Sequence, residues 1–255
     1  MIFTDTHTHL YSDSFDADRD QVIADAIGAG VSRFFLPAIN ASYISGMRAL
    51  KAAYPEQMHL MSGLHPTHVK EDYREELCVL EAFLETDSCV AVGEIGIDLY
   101  WDRTFLSEQQ DAFSIQIGWA KARKFPIVIH CRDAFNEVFE VLEAHKGPDL
   151  RGIFHCFTGS YEQALKAISY GMKLGIGGVL TFKNGGLDAF IHQIDLSHLV
   201  LETDAPYLAP VPYRGKRNES SYLPLVAERL SNLTGHSLAH IAAHTTQNSV
   251  DVFGI

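Results

Sequence analysis

Cys89-Val90-Ala91-Val92-Gly93-Glu94 is a short apolar run that ends on a carboxylate. A β-branched run of this length between helical patterns predicts a strand of a parallel sheet. Burying an ionised carboxylate there costs several kcal/mol unless a positive group meets it. Few basic residues, such as Arg33 and Lys173, lie on the predicted strands. A metal ion is therefore the favoured partner of Glu94, and a salt bridge to Arg or Lys is the alternative.

Seven further apolar runs occur along the chain, with amphipathic helical patterns between them. The eight predicted strands cover residues 2–6, 32–38, 59–64, 90–95, 126–130, 152–155, 173–176 and 199–202. The predicted helices cover residues 19–29, 41–53, 75–85, 107–124, 134–145, 161–170, 187–195, 221–233 and 238–253. Strict alternation predicts a parallel sheet, either open and doubly wound or closed. Eight units favour closure, so the predicted fold class is α/β, a TIM-like (β/α)8 barrel.

Length and composition indicate one large core. The chain has 255 residues, 47% of them hydrophobic, and an eight-fold β/α barrel has about 250 residues. We therefore expect residues 1–255 to form a single barrel domain. No apolar run reaches the roughly 18 residues of a membrane span, and no leader-like segment follows Met1, so a soluble, cytoplasmic protein is expected. The four cysteines lack CxxC spacing, which favours free thiols in a reducing compartment.

The net charge of -12 argues against an extended groove that follows a nucleic-acid backbone, because such grooves are normally basic. An anionic substrate stays compatible with this charge. Two bound divalent cations would add about four positive charges inside a pocket, and the local charge decides binding in a cleft.

Further side chains that bind metal ions lie at the ends of predicted strands. His7 and His9 are two residues apart, so they project to the same side of a strand and can share one ion. His130 and His155 close neighbouring runs at the same predicted height. Asp204 follows the last strand, where an acid can bind an ion and accept a proton from water. Each could be structural on its own, but their joint placement at strand ends favours a metal site.

These residues predict a hydrolase that uses a metal-activated water. The predicted metal ligands are His7, His9, Glu94, His130, His155 and Asp204. Two divalent ions, Mg, Mn or Zn, could hold the water and the attacked phosphoryl or carbonyl oxygen. The predicted catalytic residues are Glu94, which would bridge the ions, and Asp204, which would accept the proton.

Positions near these ligands have other interpretations. Asp98 could equally cap the loop that follows the fourth strand. Strand alternation would turn Cys131 and Cys156 toward the helices, as packing residues. His59 begins its run, which places it at the opposite rim of the barrel.

Polar residues after the strands predict a substrate-binding surface. His65 and Arg132 would lie at the barrel mouth and could bind an anionic oxygen, although each could instead brace a loop. The loop at residues 207–218 is basic and aromatic, so it could pair phosphates and stack a base. The alternative is a solvated loop that closes the barrel. The predicted substrate-binding residues are His65, Arg132, Tyr207, Arg214 and Lys216.

Seven motifs, in order along the whole chain, resemble those of the TatD family of metal-dependent deoxyribonucleases, within the amidohydrolase-like barrels. They are Asp5-Thr6-His7-Thr8-His9, Gly63-Leu64-His65-Pro66, Gly93-Glu94-Ile95-Gly96-Ile97-Asp98, His130-Cys131-Arg132, His155-Cys156-Phe157-Thr158-Gly159, Glu202-Thr203-Asp204-Ala205-Pro206 and Arg214-Gly215-Lys216-Arg217-Asn218-Glu219. One departure is Ser220, where Pro commonly follows the last motif, and this would change the rigidity of that loop.

The resemblance implies a TIM-like barrel with a two-metal site, often occupied by magnesium, manganese or zinc. It implies hydrolysis of DNA phosphodiesters, commonly from the 3′ end of single strands, so DNA is the expected partner. In related barrels the fourth strand often carries a modified lysine that bridges the metals, and Glu94 occupies that place here. Two alternatives stay open from the residues alone: a metal-dependent hydrolase of a small lactone, amide or ester, and a binding barrel without turnover.

Overall fold

A computed structural model describes all residues from 1 to 255 and contains one sheet of eight parallel strands. Each strand pairs with the next one along the chain, so the order in the sheet is β1 to β8. The strands are β1 (Phe3–Asp5), β2 (Val31–Pro37), β3 (Met58–Ser62), β4 (Cys89–Asp98), β5 (Ile127–Arg132), β6 (Gly152–Phe154), β7 (Met172–Ile176) and β8 (Leu199–Leu201).

The sheet closes between its first and last strands. The backbone N–H of Thr6 and its hydroxyl both donate to the carbonyl oxygen of Leu201, at 3.1 Å and 3.0 Å. The backbone N–H of Asp204 donates to the carbonyl of His7 at 2.9 Å. The pairing between the first and last strands therefore continues beyond their carboxyl ends. The predicted (β/α)8 barrel is therefore confirmed.

Helices follow the strands and cover the outside of the barrel. They are α1 (Arg19–Gly28), α2 (Ile44–Ala53), α3 (Tyr73–Thr86), α4 (Leu106–Arg123), α5 (Phe135–Ala144), α6 (Tyr161–Ser169), α7 (Leu223–Thr234) and α8 (Leu238–Phe253). Gly235 ends α7 in the left-handed conformation, φ 76°, which glycine adopts without strain. None of the helices has the length and apolarity that crossing a membrane requires.

The helix predicted at residues 187–195 is wrong. The segment instead forms two short 3₁₀ helices, Leu187–Ala189 and Ile191–Gln193, separated at Phe190, whose φ of -138° is not helical. Leu187, Phe190, Ile191 and Ile194 are buried, and their spacing of i, i+3, i+4 and i+7 is that of an amphipathic α-helix. The apolar pattern therefore could not distinguish the two 3₁₀ helices from an α-helix.

The inside of the barrel is apolar in its lower half. The buried side chains there are Phe35, Met61, Ala91, Val128, Ile153 and Val200, with Val252 and Phe253 of α8 beneath them. The ring of Phe253 stacks on that of Phe35 with centroids 3.9 Å apart, which closes the floor. His59 stacks on the other side of this group, on Phe35, so it lies at the rim opposite to the strand ends, as predicted.

Strand alternation then carries polar side chains into the upper half. Side chains two residues apart on a strand face the same side. Val128 and Ile153 face the interior, so His130 and His155 follow them one step higher, toward the mouth. Cys131 packs against the outer core on the helix side, as predicted. Strand β6 ends at Phe154, and Cys156 beyond it adopts a φ of 43°. The alternation of a strand therefore does not determine on which side the Cys156 side chain lies.

Candidate metal centre

Glu94 occupies the centre of the barrel mouth, and its two carboxylate oxygens face different imidazoles. Oε2 lies 3.2 Å from Nε2 of His7 and 3.9 Å from Nε2 of His9, the two residues that follow β1. Those two nitrogens are themselves 3.3 Å apart, so both imidazoles point at the same region. The residues beyond β1 thus converge on one oxygen of Glu94.

The other oxygen of Glu94 faces the ends of β3, β5 and β6. Oε1 lies 2.9 Å from Nδ1 of His130, 3.5 Å from Nε2 of His65 and 3.8 Å from Nε2 of His155. The side chain of Glu94 is buried, and every charged group within ion-pair distance of it is an imidazole. A single carboxylate therefore separates two sets of nitrogen donors.

Asp204, which follows β8, is a second carboxylate that faces His7 and His9. Its Oδ1 lies 3.3 Å from Nε2 of His9, 3.7 Å from Nε2 of His155 and 3.9 Å from Nε2 of His7. Asp204 adopts a left-handed backbone, φ 59°, directly after the β8 segment. Its side chain is 14% exposed, compared with 3% for Glu94, so it is the more accessible carboxylate at the mouth.

The tautomer of His9 leaves one nitrogen free to bind an ion. The hydroxyl of Tyr11 donates to the carbonyl oxygen of Pro37. The same hydroxyl oxygen lies 2.6 Å from Nδ1 of His9, so Nδ1–H must be the donor in that contact. Nε2 of His9 then carries a lone pair and faces Glu94 and Asp204, the orientation that a metal ligand needs.

A carboxylate at the end of β4 orients His130. Asp98 Oδ2 lies 2.8 Å from Nε2 of His130, whose Nδ1 faces Glu94. Burial alone would lower the pKa of His130, but hydrogen bonds with Asp98 and Glu94 outweigh it and raise the pKa to about 9. The other oxygen of Asp98 accepts from the backbone N–H of Tyr100 at 3.0 Å. Asp98 thus both holds an imidazole of the site and caps the next loop.

Glu202 is the carboxylate next to His155, as Asp98 is next to His130. Its Oε1 lies 2.9 Å from Nδ1 of His155, at an angle outside hydrogen-bond geometry, and accepts from the backbone N–H of Cys156. A side chain at Gly175 would collide with this carboxylate. Burial would lower the pKa of His155, yet Glu202, Glu94 and Asp204 raise it to about 10. The buried negative charge at this point favours a cation.

Asp5 links the two ends of the barrel under the site. Its oxygens accept from the backbone N–H and the hydroxyl of Thr203, at 2.9 Å and 2.6 Å, and from the hydroxyl of Ser220 at 2.6 Å. Burial raises the pKa of Asp5 to about 7 despite these hydrogen bonds. Ser220 is therefore a buried brace between its loop and β1.

The donor set fits divalent cations. Burial on its own would raise the pKa of Glu94, but His7, His65 and His155 hold it well below 4.5. Carboxylate and imidazole donors are ligands that Mg, Mn and Zn accept, and they approach one another closely here. Three groups have ligand atoms within 4.8 Å of one another: His7, His155 and Asp204; His7, His9 and Glu94; and His65, Glu94 and His130.

The predicted substrate-binding residues fall into two places. His65 lies within the last of those groups, and the exposed ring of Tyr207 is 5.8 Å from that of His9. Arg132 ends β5 with its guanidinium 3.7 Å from the ring centroid of Tyr100. These three residues surround the mouth.

Arg214 and Lys216 lie further along the loop after β8. Arg214 covers the ring of Phe182 at 4.4 Å, and the Lys216 ammonium lies 5.9 Å from the ring of Tyr213. Their neighbour Arg217 is instead paired with Asp18 and Glu219, so it braces the loop.

Sequence reasoning missed the carboxylates that orient the imidazoles. The sequence leaves the role of Asp98 open, and it indicates no role in the site for Glu202 or Asp5. A usable signal was their position, because each lies within four residues of a predicted ligand at a strand end. The partner of each one depends on strand register, however, such as Asp98 opposite Arg132 in the β4–β5 pair.

Comparisons with known proteins identify the family. Residues 4–254 match the family described as TatD related DNase. An uncharacterized metal-dependent hydrolase, YabD of Bacillus subtilis, is 35% identical over 256 residues, which cover 100% of both chains. A protein named 3′-5′ ssDNA/RNA exonuclease TatD, from Pectobacterium carotovorum, is 31% identical over 256 residues, covering 98% of each.

A solved structure gives the same result for the fold. YjjV, a TatD homologue from Escherichia coli, superposes with a TM-score of 0.93 at 30% identity, covering 99% of this chain and 98% of that one. The match of the family over nearly all residues, together with relatives above 30% identity, settles the membership. The chain belongs to the TatD related DNase family.

Proposed function

We propose that the chain is a metal-dependent deoxyribonuclease that hydrolyses DNA phosphodiester bonds with a metal-activated water, as a 3′-5′ exonuclease on single-stranded ends. The observation that carries the proposal is the central carboxylate, Glu94, whose two oxygens face separate sets of imidazoles. The name of the Pectobacterium relative supports nucleic acid as the substrate. The alternative of a lactone, amide or ester substrate has no comparable support.

Two divalent ions, Mg, Mn or Zn, would sit on either side of Glu94 in this proposal. His7, His9 and Asp204 would hold one ion with Oε2, and His130 and His155 would hold the other with Oε1. His65 faces Oε1 as well and is close enough to bind that ion or a substrate oxygen. The ions would supply acidification of a water and neutralisation of charge on the phosphate.

Asp204 is the proposed proton acceptor. Burial would raise its pKa, but His155 and His9 outweigh burial and lower the pKa below 3.8, so the carboxylate is ionised at neutral pH. Its side chain is more exposed than that of Glu94, which supports contact with an attacking water. A positioned carboxylate contributes to the rate by taking the proton as the new bond forms.

The proposed contacts with DNA come from the loops around the mouth. Arg132 and Arg214 both lie on aromatic rings and have no carboxylate within 4 Å, so their guanidiniums remain available to phosphates. Tyr207 would contact the nucleotide next to the scissile bond, and Lys216 would add charge further along the strand. Arg132 would supply positive charge at the mouth, and Arg214 and Lys216 would supply it further along the loop after β8, in an otherwise acidic protein.

The test is hydrolysis of a 5′-labelled single-stranded DNA by purified protein with magnesium or manganese. We expect stepwise shortening from the 3′ end, which EDTA abolishes and Asp204→Asn reduces strongly. His240→Asn, which changes an exposed histidine of α8, is the matched control and should retain activity. Full activity in EDTA, or in Asp204→Asn, would overturn the proposal.

We further propose a reducing, cytoplasmic location, since Cys78, Cys89, Cys131 and Cys156 are all unpaired. Burial raises the pKa of Cys89 to about 12 and also raises the pKa of Cys131, so these thiols resist oxidation. Thiol titration of the unfolded protein from cell extracts should find four reduced cysteines. A disulfide in that material would contradict the proposal.

A further inference from the structure

Trp101 is the most exposed large apolar side chain in the chain, at 70%, and it lies beside the barrel mouth. Its neighbour Tyr100 is 53% exposed, and the two rings meet edge to face with centroids 4.9 Å apart. An exposed pair of aromatic rings beside a polar cleft is typical of a ligand-binding surface, because these rings are otherwise buried. The Trp101 indole stays largely exposed, although the ring of Tyr100 lies against it.

Asp98 ties this pair to the candidate metal centre. Its Oδ1 accepts from the backbone N–H of Tyr100 at 3.0 Å and of Trp101 at 3.4 Å, while its Oδ2 lies 2.8 Å from His130 Nε2. The backbone N–H of Leu99 donates to the carbonyl of Arg132 and continues the strand pairing up to the loop. The aromatic pair is therefore held at the site by the same carboxylate that orients an imidazole.

Arg132 adds a positive charge to the same surface. Its guanidinium carbon lies 3.7 Å from the ring centroid of Tyr100 and 5.4 Å from that of Trp101. No carboxylate lies within ion-pair distance of Arg132, whereas the nearby Lys70 is paired with Asp102 at 3.6 Å. An unpaired guanidinium next to an exposed indole offers one group for a phosphate and one for a base.

We propose that Trp101 and Arg132 form a nucleotide subsite on the β4–β5 side of the mouth. An unpaired base stacks on the Trp101 indole, and the phosphate of the same nucleotide pairs with Arg132. A base inside a duplex has both faces covered by its neighbours, so the subsite selects single-stranded nucleic acid. The physiological ligand rests on the proposed nuclease function, but binding to the subsite does not require hydrolysis.

Tryptophan fluorescence tests the binding directly, because the sequence has two tryptophans in opposite environments. Trp101 is exposed, whereas Trp119 on α4 is 8% exposed. A phosphorothioate oligothymidylate in magnesium should quench the emission of the full chain. Trp119→Phe should keep the quenching, and Trp101→Phe should remove it. Equal quenching in Trp101→Phe, or none at concentrations where the labelled oligonucleotide is bound, would overturn the subsite.

Kinetics test whether the base is what Trp101 recognises. Trp101→Ala should raise KM for single-stranded DNA by about 5- to 150-fold, the range that loss of one stacked base gives. Trp101→Phe should recover much of this loss. With a substrate whose 3′-terminal nucleotides lack bases, wild type and Trp101→Ala should have equal KM. An equal effect of Trp101→Ala on both substrates would show a structural role and contradict the proposal.

The two proposals fail separately. If no form of the protein cleaves DNA but quenching depends on Trp101, the nuclease function is wrong and the subsite remains. If the protein cleaves DNA and Trp101→Ala changes neither KM nor quenching, the subsite is wrong and the nuclease function remains.

Discussion

The lower and upper halves of the barrel interior follow the same strands but have opposite chemistry. Val128, Ile153 and Val200 fill the lower half, and the residues two positions later reach the mouth as His130, His155 and Glu202. Apolar burial below contributes stability at about 25 cal/mol per Å². Buried charges above cost stability unless a cation meets them. Interior side chains two residues apart on the same strands thus form an apolar floor, which stabilises the fold, and a polar mouth, which is suited to bind ions.

Histidines at the two ends show the same contrast. His59, at the floor, is surrounded by the ring of Phe35 and the cations Lys51 and Arg33, and burial followed by these charges lowers its pKa to about 4. His155, at the mouth, has carboxylate neighbours that overcome burial and raise its pKa to about 10. Carboxylate neighbours, which His155 has and His59 lacks, therefore account for the opposite directions of these two pKa shifts.

The largest expected effect is on activity, from a change at the mouth. Glu94→Gln removes the charge that faces both imidazole sets, so kcat on single-stranded DNA should fall about 1000-fold, as when a group that stabilises developing charge is removed. Initial rates at saturating manganese measure this. His240→Gln is the control, and a Glu94→Gln rate within tenfold of wild type would contradict the assignment.

A change at the floor should act on stability instead. Phe35→Ala removes a fully buried ring that stacks on Phe253, so the free energy of unfolding should fall by about 3–5 kcal/mol. Urea denaturation measures the loss. The folded fraction should keep its kcat, because Phe35 touches no predicted ligand. A decrease in the free energy of unfolding below about 1 kcal/mol would contradict the role of the floor in stability. A loss of kcat per folded molecule would show that the floor also affects catalysis at the mouth.

The carboxylates that orient the imidazoles should have an intermediate effect. Glu202→Gln keeps the acceptor for the Cys156 N–H but removes the charge next to His155, so the manganese affinity should fall about 10- to 100-fold. Activity titrated against manganese concentration measures this. Glu143→Gln, on the exposed face of α5, is the matched control. Unchanged manganese dependence would show that Glu202 only supports the backbone.

The smallest expected effect is on the pH dependence of stability. His59 is neutral in the folded protein down to pH about 4, whereas in the unfolded chain it takes up a proton near pH 6.5. Its contribution is therefore fully present above pH 6.5 and is lost as the pH falls toward 4. The free energy of unfolding of His59→Gln, measured by urea denaturation, should decline less over this range than that of wild type. Parallel curves would contradict the low pKa.

The sequence predicts the barrel well because each strand is a short apolar run with its own flanking signals. It fails at residues 187–195, where 3₁₀ turns bury the same positions as a helix would. At the mouth, the spacing of His7 and His9 is local information and is visible in the sequence. The approach of His65 to Glu94, and of Glu202 to His155, depends on register between strands and on loop paths. Those contacts have no local pattern that predicts them.

The most direct test of the account is electron paramagnetic resonance of the protein loaded with manganese. If Glu94 bridges two ions about 3.5–4 Å apart, the spectrum should show two spin-coupled Mn²⁺ ions per chain. Glu94→Gln should convert the coupled signal to that of isolated ions or abolish binding. One ion per chain, or two uncoupled ions in the wild-type protein, would contradict the bridged centre.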